Sequence, residues 1–132
     1  MVREIPMKVL LAGCGGFLGS IARYVLGGAI HRLVQAPVFP FGTLVVNVSG
    51  CLAIGLLGGL ADQRGLLSPG ARVFLLIGVL GGFTTFSSFG YETFQLARDG
   101  ETLPALANVL LQLGLGLSAV WAGNAVIRLV WG

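Results

Sequence analysis

From Pro40 to Ala61 the chain carries no charged residue, and from Pro104 to Ile127 it carries none again. Runs of this length are what a helix rising about 1.5 Å per residue needs to cross a hydrocarbon core about 30 Å thick. Two further runs are nearly as apolar, and mean hydropathy over the chain is +0.92. Only 10% of the 132 residues are charged, against about 25% in an ordinary soluble domain. Because backbone polar groups in lipid must be satisfied within the segment, the spans have to be helices. The expected fold is an all-α integral membrane protein, a single domain over residues 1–132 with helices at about 7–30, 40–61, 69–97 and 104–128.

The same composition excludes several functions. A net charge of +3 on scattered basic residues does not make a nucleic-acid face; these residues fit membrane interfaces. Cys14 and Cys51 both fall in apolar runs and read as small hydrophobes rather than a disulfide. Arg3 and Lys8 precede an apolar stretch as in a signal peptide, but that stretch is glycine-rich and continues to Arg23, so it reads as a retained first span. There is no Ser-His-Asp or Cys-His set, no phosphate loop and no pair of carboxylates within one segment. An enzyme is not expected.

Small residues mark where helices approach closely. Gly15 and Gly19, Gly55 and Gly59, and Gly78 and Gly82 are each four apart, the spacing that lets two backbones meet in a membrane. His31, Arg32 and Pro37 lie in the first loop. Ser68-Pro69 suits an N-cap followed by proline at the first helical position.

The third span holds the stretch that is least like an ordinary membrane helix: Gly81-Gly82-Phe83-Thr84-Thr85-Phe86-Ser87-Ser88-Phe89. Paired glycines and four hydroxyls at membrane depth suggest an interrupted helix, tolerated only inside protein or beside water. Phe86 and Phe89, three apart, share a helical face. Helices 2 and 4 enter from the opposite face, which puts Asn47 and Gln112 at a common depth of roughly 10–12 Å. Thr43 shares a face with Asn47; Asn108, Gln112 and Gly116 recur every four residues. Asn47 alone reads either as an interhelical hydrogen bond or as a donor to substrate.

Such a lining holds amides, hydroxyls and ring edges, whose positive rim can face an anion, and only Glu92 nearby is acidic. It suits a small, hard anion that binds weakly and leaves again. Arg23 lies some 24 Å from Met7 along the first helix and either snorkels to the interface or faces a polar vestibule. Four short helices enclose little interior, so a pore calls for a second copy. Arg3, Lys8, Arg64, Arg72 and Arg128 lie on the terminal side, against Arg32 and Arg98 on the other, with Arg23 if it reaches that interface. That weak bias leaves two options: cytoplasmic termini, or insertion both ways with an antiparallel homodimer. Two rival readings are a small multidrug exporter, which would need a carboxylate in the first span where Arg23 stands, and a non-transporting membrane subunit.

Three blocks resemble the Fluc (CrcB) fluoride channel family: Gly15-Gly16-Phe17-Leu18-Gly19-Ser20-Ile21-Ala22-Arg23-Tyr24, Phe41-Gly42-Thr43-Leu44-Val45-Val46-Asn47, and Gly81 to Phe89 with Glu92. The resemblance implies a dual-topology homodimer of antiparallel subunits in the cell (inner or plasma) membrane, with the third helix broken near mid-membrane. It implies passive, fluoride-specific export that lowers cellular fluoride. It makes Phe86 and Phe89 pore phenylalanines and Asn47 a fluoride contact. Thr43, Thr85, Ser88, Gln112, Asn108, Glu92 and Arg23 would complete the anion pathway. It also implies a structural, untransported sodium ion on the carbonyls of Gly81 and Thr84 of both subunits. Ser88 stands where the family often has threonine, and Asn108 and Gln112 where some members have a tyrosine and a serine.

Overall fold

The structure, a computed structural model, describes residues 4–35 and 38–131. Arg3 and Pro37 lie outside the described residues, as does the side chain of Arg64. The elements are α1 (Glu4–Val34), α2 (Phe41–Arg64), α3 (Pro69–Arg72), a π-helical stretch π1 (Val73–Val79), α4 (Leu80–Phe83), α5 (Phe86–Arg98) and α6 (Thr102–Trp131). Four segments are long and apolar enough to cross a membrane: Ile5–Val34, Phe41–Asp62, Pro69–Arg98 and Thr102–Trp131. The first and last helices overrun the apolar runs at both ends. Helical hydrogen bonding does not stop where lipid-compatible side chains do, and Pro104 sits within the first turn of α6, where no amide hydrogen is needed.

The third segment is the least regular. Ser68 caps α3, its side chain accepting from the Ala71 amide at 3.2 Å, with Pro69 behind it. The hydrogen bonds then widen through π1, and the Leu80 amide reaches back to the Leu75 carbonyl. Helix α4 ends at Phe83, and the last helical bond runs from the Thr84 amide to the Leu80 carbonyl at 3.0 Å. Thr84 (φ −82°, ψ 158°) and Thr85 (φ −150°, ψ 111°) are extended. Thr85 restarts the helix as the N-cap of α5, its Oγ1 accepting from the Ser88 amide at 3.1 Å.

Glycine contacts hold the bundle together. A Cβ on Gly15 would come within 2.9 Å of Gly78 Cα and of the Val79 amide, and one on Gly82 within 2.9 Å of Gly16 Cα. This seam joins α1 to π1 and α4. The second seam joins α2 to α6, where a Cβ on Gly55 would collide with the Val120 carbonyl and one on Gly123 would lie 2.8 Å from the Leu56 amide. Lipid tails are as apolar as leucine, so dispersion contacts at such approaches, not a hydrophobic drive, hold membrane helices together. Val46 and Asn108 are the largest fully buried side chains among the described residues. On the outside, Tyr24, Trp121 and Leu129 are exposed on the single chain.

Candidate functional site

The extended pair Thr84–Thr85 is fastened from α2 by one side chain. Asn47 Oδ1 accepts from the Thr85 amide at 2.8 Å, and Asn47 Nδ2 donates to the Thr85 carbonyl at 3.0 Å. Both backbone groups of an extended residue are thus satisfied by one carboxamide, which is why Thr85 can leave the helix without stranding its own amide and carbonyl in a low-dielectric interior. Gly50, one turn further along α2, makes room: a Cβ there would collide with Thr84 Cγ2. Asn47 Nδ2 also donates to Gln112 Oε1 of α6, at 3.1 Å. The common depth expected for Asn47 and Gln112 is therefore realised as direct contact.

The diverted bonds leave carbonyls without their helical donors. In an unbroken helix the Thr85 amide would reach the Gly81 carbonyl, and the Ser88 amide the Thr84 carbonyl. Here those amides go to Asn47 and to Thr85 Oγ1 instead. The Thr84 carbonyl receives Arg23 Nη1 only at 3.5 Å.

Two cavities meet at Thr85. The first, of about 340 Å³, is lined by Asn47, Gly81, Thr84, Thr85, Phe86, Phe89 and Gln112 among others. The second, of about 520 Å³, is lined by Arg23, Arg32, Thr43, Thr85 and Ser88 among others. The two phenylalanines meet edge to face, with ring centroids 5.4 Å apart and an interplanar angle of 67°. Phe86 is 80% exposed on the single chain, so it presents an open ring to whatever lies beside it. The second cavity brings two guanidinium groups together, and its described lining holds no carboxylate. Thr43 on its wall donates to Glu92 Oε1 at 2.6 Å. Of the first turn of α5, Phe86 and Phe89 line the first cavity and Ser88 the second.

Glu92 and Asn108 lie apart from this junction. Glu92 lines a third cavity of about 570 Å³ with His31, Asp99 and Glu101. Asn108, fully buried, lines none of these cavities and donates through Nδ2 to Thr93 Oγ1 at 2.9 Å. Thr93 in turn donates to the Phe89 carbonyl at 2.8 Å. Thr93, Gly50 and Arg32 are contributors that the sequence reading did not select. The available signals were a threonine four residues after Phe89, a glycine three after Asn47, and an arginine nine after Arg23.

Fold and site together define a small four-span membrane protein built around an interrupted helix whose polar lining is amide, hydroxyl and guanidinium. A family profile described as "CrcB-like protein, Camphor Resistance (CrcB)" matches residues 10–124. The chain belongs to this family. It is 52% identical, over 92% of its length and 99% of the relative, to a protein of Solibacter usitatus named "Fluoride-specific ion channel FluC". Proteins of the same name from Methylobacillus flagellatus (43% identical, 92% of this chain, 95% of the relative) and Rhizobium meliloti (46%, 91% and 95%) match over the same extent.

Proposed function

We propose that the chain is a fluoride-specific ion channel through which fluoride leaves the cell passively, lowering its concentration and toxicity. The observation that carries this reading is identity of 52% to a protein of that name over nearly its whole length. The local chemistry agrees. Fluoride gives up its water only to donors that replace it, and the junction at Thr85 offers amide, hydroxyl and guanidinium donors around two ring edges. In this reading Phe86 and Phe89 face the ion, with Asn47, Thr43, Thr85, Ser88 and Gln112 along the path. Arg23 gathers anions in the vestibule, Glu92 stands towards its end, and Asn108 backs the path from its bond to Thr93. A bacterium made fluoride-sensitive by loss of its own exporter should regain tolerance on expressing this chain; continued sensitivity with protein in the membrane would contradict the reading.

The assembly proposed is an antiparallel homodimer of dual topology, with the Thr84–Thr85 break near mid-membrane. Phe86 at 80% exposure cannot enclose a path within one chain, which supports a second copy. A structural sodium ion fits the same arrangement. Hard cations take oxygen ligands, and the Gly81 and Thr84 carbonyls are those whose helical amides are diverted. Gly81 is also exposed, with nothing within 4 Å of a Cβ placed on it. These carbonyls, from two subunits, would hold the ion, which would fasten the break and not be transported. A well-ordered crystal of the dimer should carry cation density at those carbonyls; water or side chains there would exclude the metal site.

A further inference from the structure

Helix α5 begins after two extended residues, so no continuous run of helical bonds carries its orientation over from α4. Its start is held by Asn47 on Thr85. Further along, apolar packing gives little hold: Tyr91 and Phe94 are exposed on the single chain, and Leu96 is the helix's one buried residue. Among the described residues, two side-chain hydrogen bonds tie its middle to its neighbours. Thr43 of α2 donates to Glu92 at 2.6 Å, and Asn108 of α6 donates to Thr93 Oγ1 at 2.9 Å. At about 100° per residue, Glu92 lies about 60° to one side of Phe89 and Thr93 about 40° to the other. The two bonds therefore flank the direction in which Phe89 points, and together they resist rotation of α5 about its own axis.

The Thr93 bond reaches Phe89 itself. The Thr93 hydroxyl donates to the Phe89 carbonyl, one turn back, at 2.8 Å. With its hydrogen spent there the oxygen can only accept, so Asn108 must present Nδ2 to it. A threonine bonded back to the carbonyl four residues earlier tends to bend a helix, so the hydroxyl that ties α5 to α6 also sets the local course at Phe89. The anchor is deep: Asn108 is fully buried and lines none of the three cavities described above. We infer that Thr93 is a positioning residue for Phe89: held by Asn108, its hydroxyl fixes the rotation of α5 and so the aim of the ring. This rests on the fluoride-channel reading above, in which Phe89 faces the ion. It moves Asn108 from the lining expected by resemblance to the support behind it, where it acts on conduction only through Thr93.

Thr93→Val keeps the shape of the side chain and removes both bonds, whereas Thr93→Ser keeps both. The double variant Thr93→Val/Asn108→Leu replaces the pair by apolar groups and so leaves no buried amide stranded; it carries the same comparison if Thr93→Val alone does not fold. Each is measured by fluoride efflux from liposomes and by the ring signals of ¹³C-phenylalanine-labelled protein in lipid nanodiscs. The Phe89 signals are assigned by their loss in Phe89→Ile. Thr93→Val should lower efflux about ten-fold and move the Phe89 signals, in protein that elutes as wild type. Thr93→Ser should leave both near wild type. In the double variant efflux should fall no further than in Thr93→Val, since two residues acting as one unit do not add. Unchanged efflux in Thr93→Val, or efflux lost while the Phe89 signals stay in place, overturns the inference. So does a serine variant that behaves as the valine one does. A double variant well below Thr93→Val would put Asn108 on the path itself and overturn its role as support. Wild-type protein that carries no fluoride fails the channel reading instead, and the Phe89 signals then still decide whether Thr93 aims the ring.

Discussion

Gly19→Leu is expected to abolish the folded protein. Gly19 of α1 faces the point where π1 passes into α4. A Cβ there would collide with the Val79 carbonyl and would lie 2.8 Å from the Phe83 amide. These neighbours are backbone, so no rotamer change relieves the clash and the helices must part. Parting them also loosens the Gly15–Gly78 and Gly16–Gly82 approaches, which lie on the same seam. In a membrane no hydrophobic gain offsets lost helix–helix contact. One extra methyl in a tight core typically costs about 1–3 kcal/mol, so Gly19→Ala should lose about that much. The leucine adds three more carbons at the same point, against a total stability of about 5–15 kcal/mol for a typical domain. Unfolding in micelles, followed by the fluorescence of Trp121 and Trp131, measures both variants. Gly114→Ala is the control, since nothing lies within 4 Å of a Cβ there. Its stability should match or exceed wild type, alanine being the better helix former. A Gly19→Leu protein as stable as wild type would mean that α1 does not pack on the third span through this seam.

Phe86→Ile and Phe89→Ile should each lower fluoride efflux about ten-fold while the protein stays folded. Isoleucine keeps apolar bulk but lacks the positive ring edge that can face an anion. Phe86 is 80% exposed on the chain, so its replacement removes little intrachain packing. Phe89 is half-buried and gives up its edge-to-face contact with Phe86, worth about 0.5–1.5 kcal/mol. Efflux measured on protein eluting as wild type separates conduction from folding. If both variants conduct as wild type does, the rings are not part of the path.

The membrane-spanning architecture was legible because the apolar runs are long and the intervening charges few. The meeting of Asn47 and Gln112 was legible for a different reason. Helix rise is nearly constant, so counting residues inward from two loops on one side gives depth, and the two amides bond at 3.1 Å. Depth does not give azimuth. Residues four apart on a 3.6-residue helix drift by about 40° per step, which is why Asn108 shares a stripe with Gln112 yet turns to Thr93. The glycine pairs announced close approaches without naming partners; the structure matches Gly15 with Gly78 and Gly55 with Val120. The π-helical run had no counterpart in the composition of Val73–Val79. The double hold of Asn47 on Thr85 was equally hidden, because it depends on the backbone course of two residues that propensity alone would leave helical or extended.

A passive path for fluoride needs only the protein, a bilayer and a gradient. Purified protein is reconstituted into liposomes loaded with potassium fluoride and potassium chloride, and external fluoride and chloride are followed by ion-selective electrodes. Adding a potassium ionophore removes the charge barrier to anion loss and supplies no other energy source. Rapid fluoride release with chloride retained is the expected result. Folded, reconstituted protein that holds its fluoride under these conditions would contradict it.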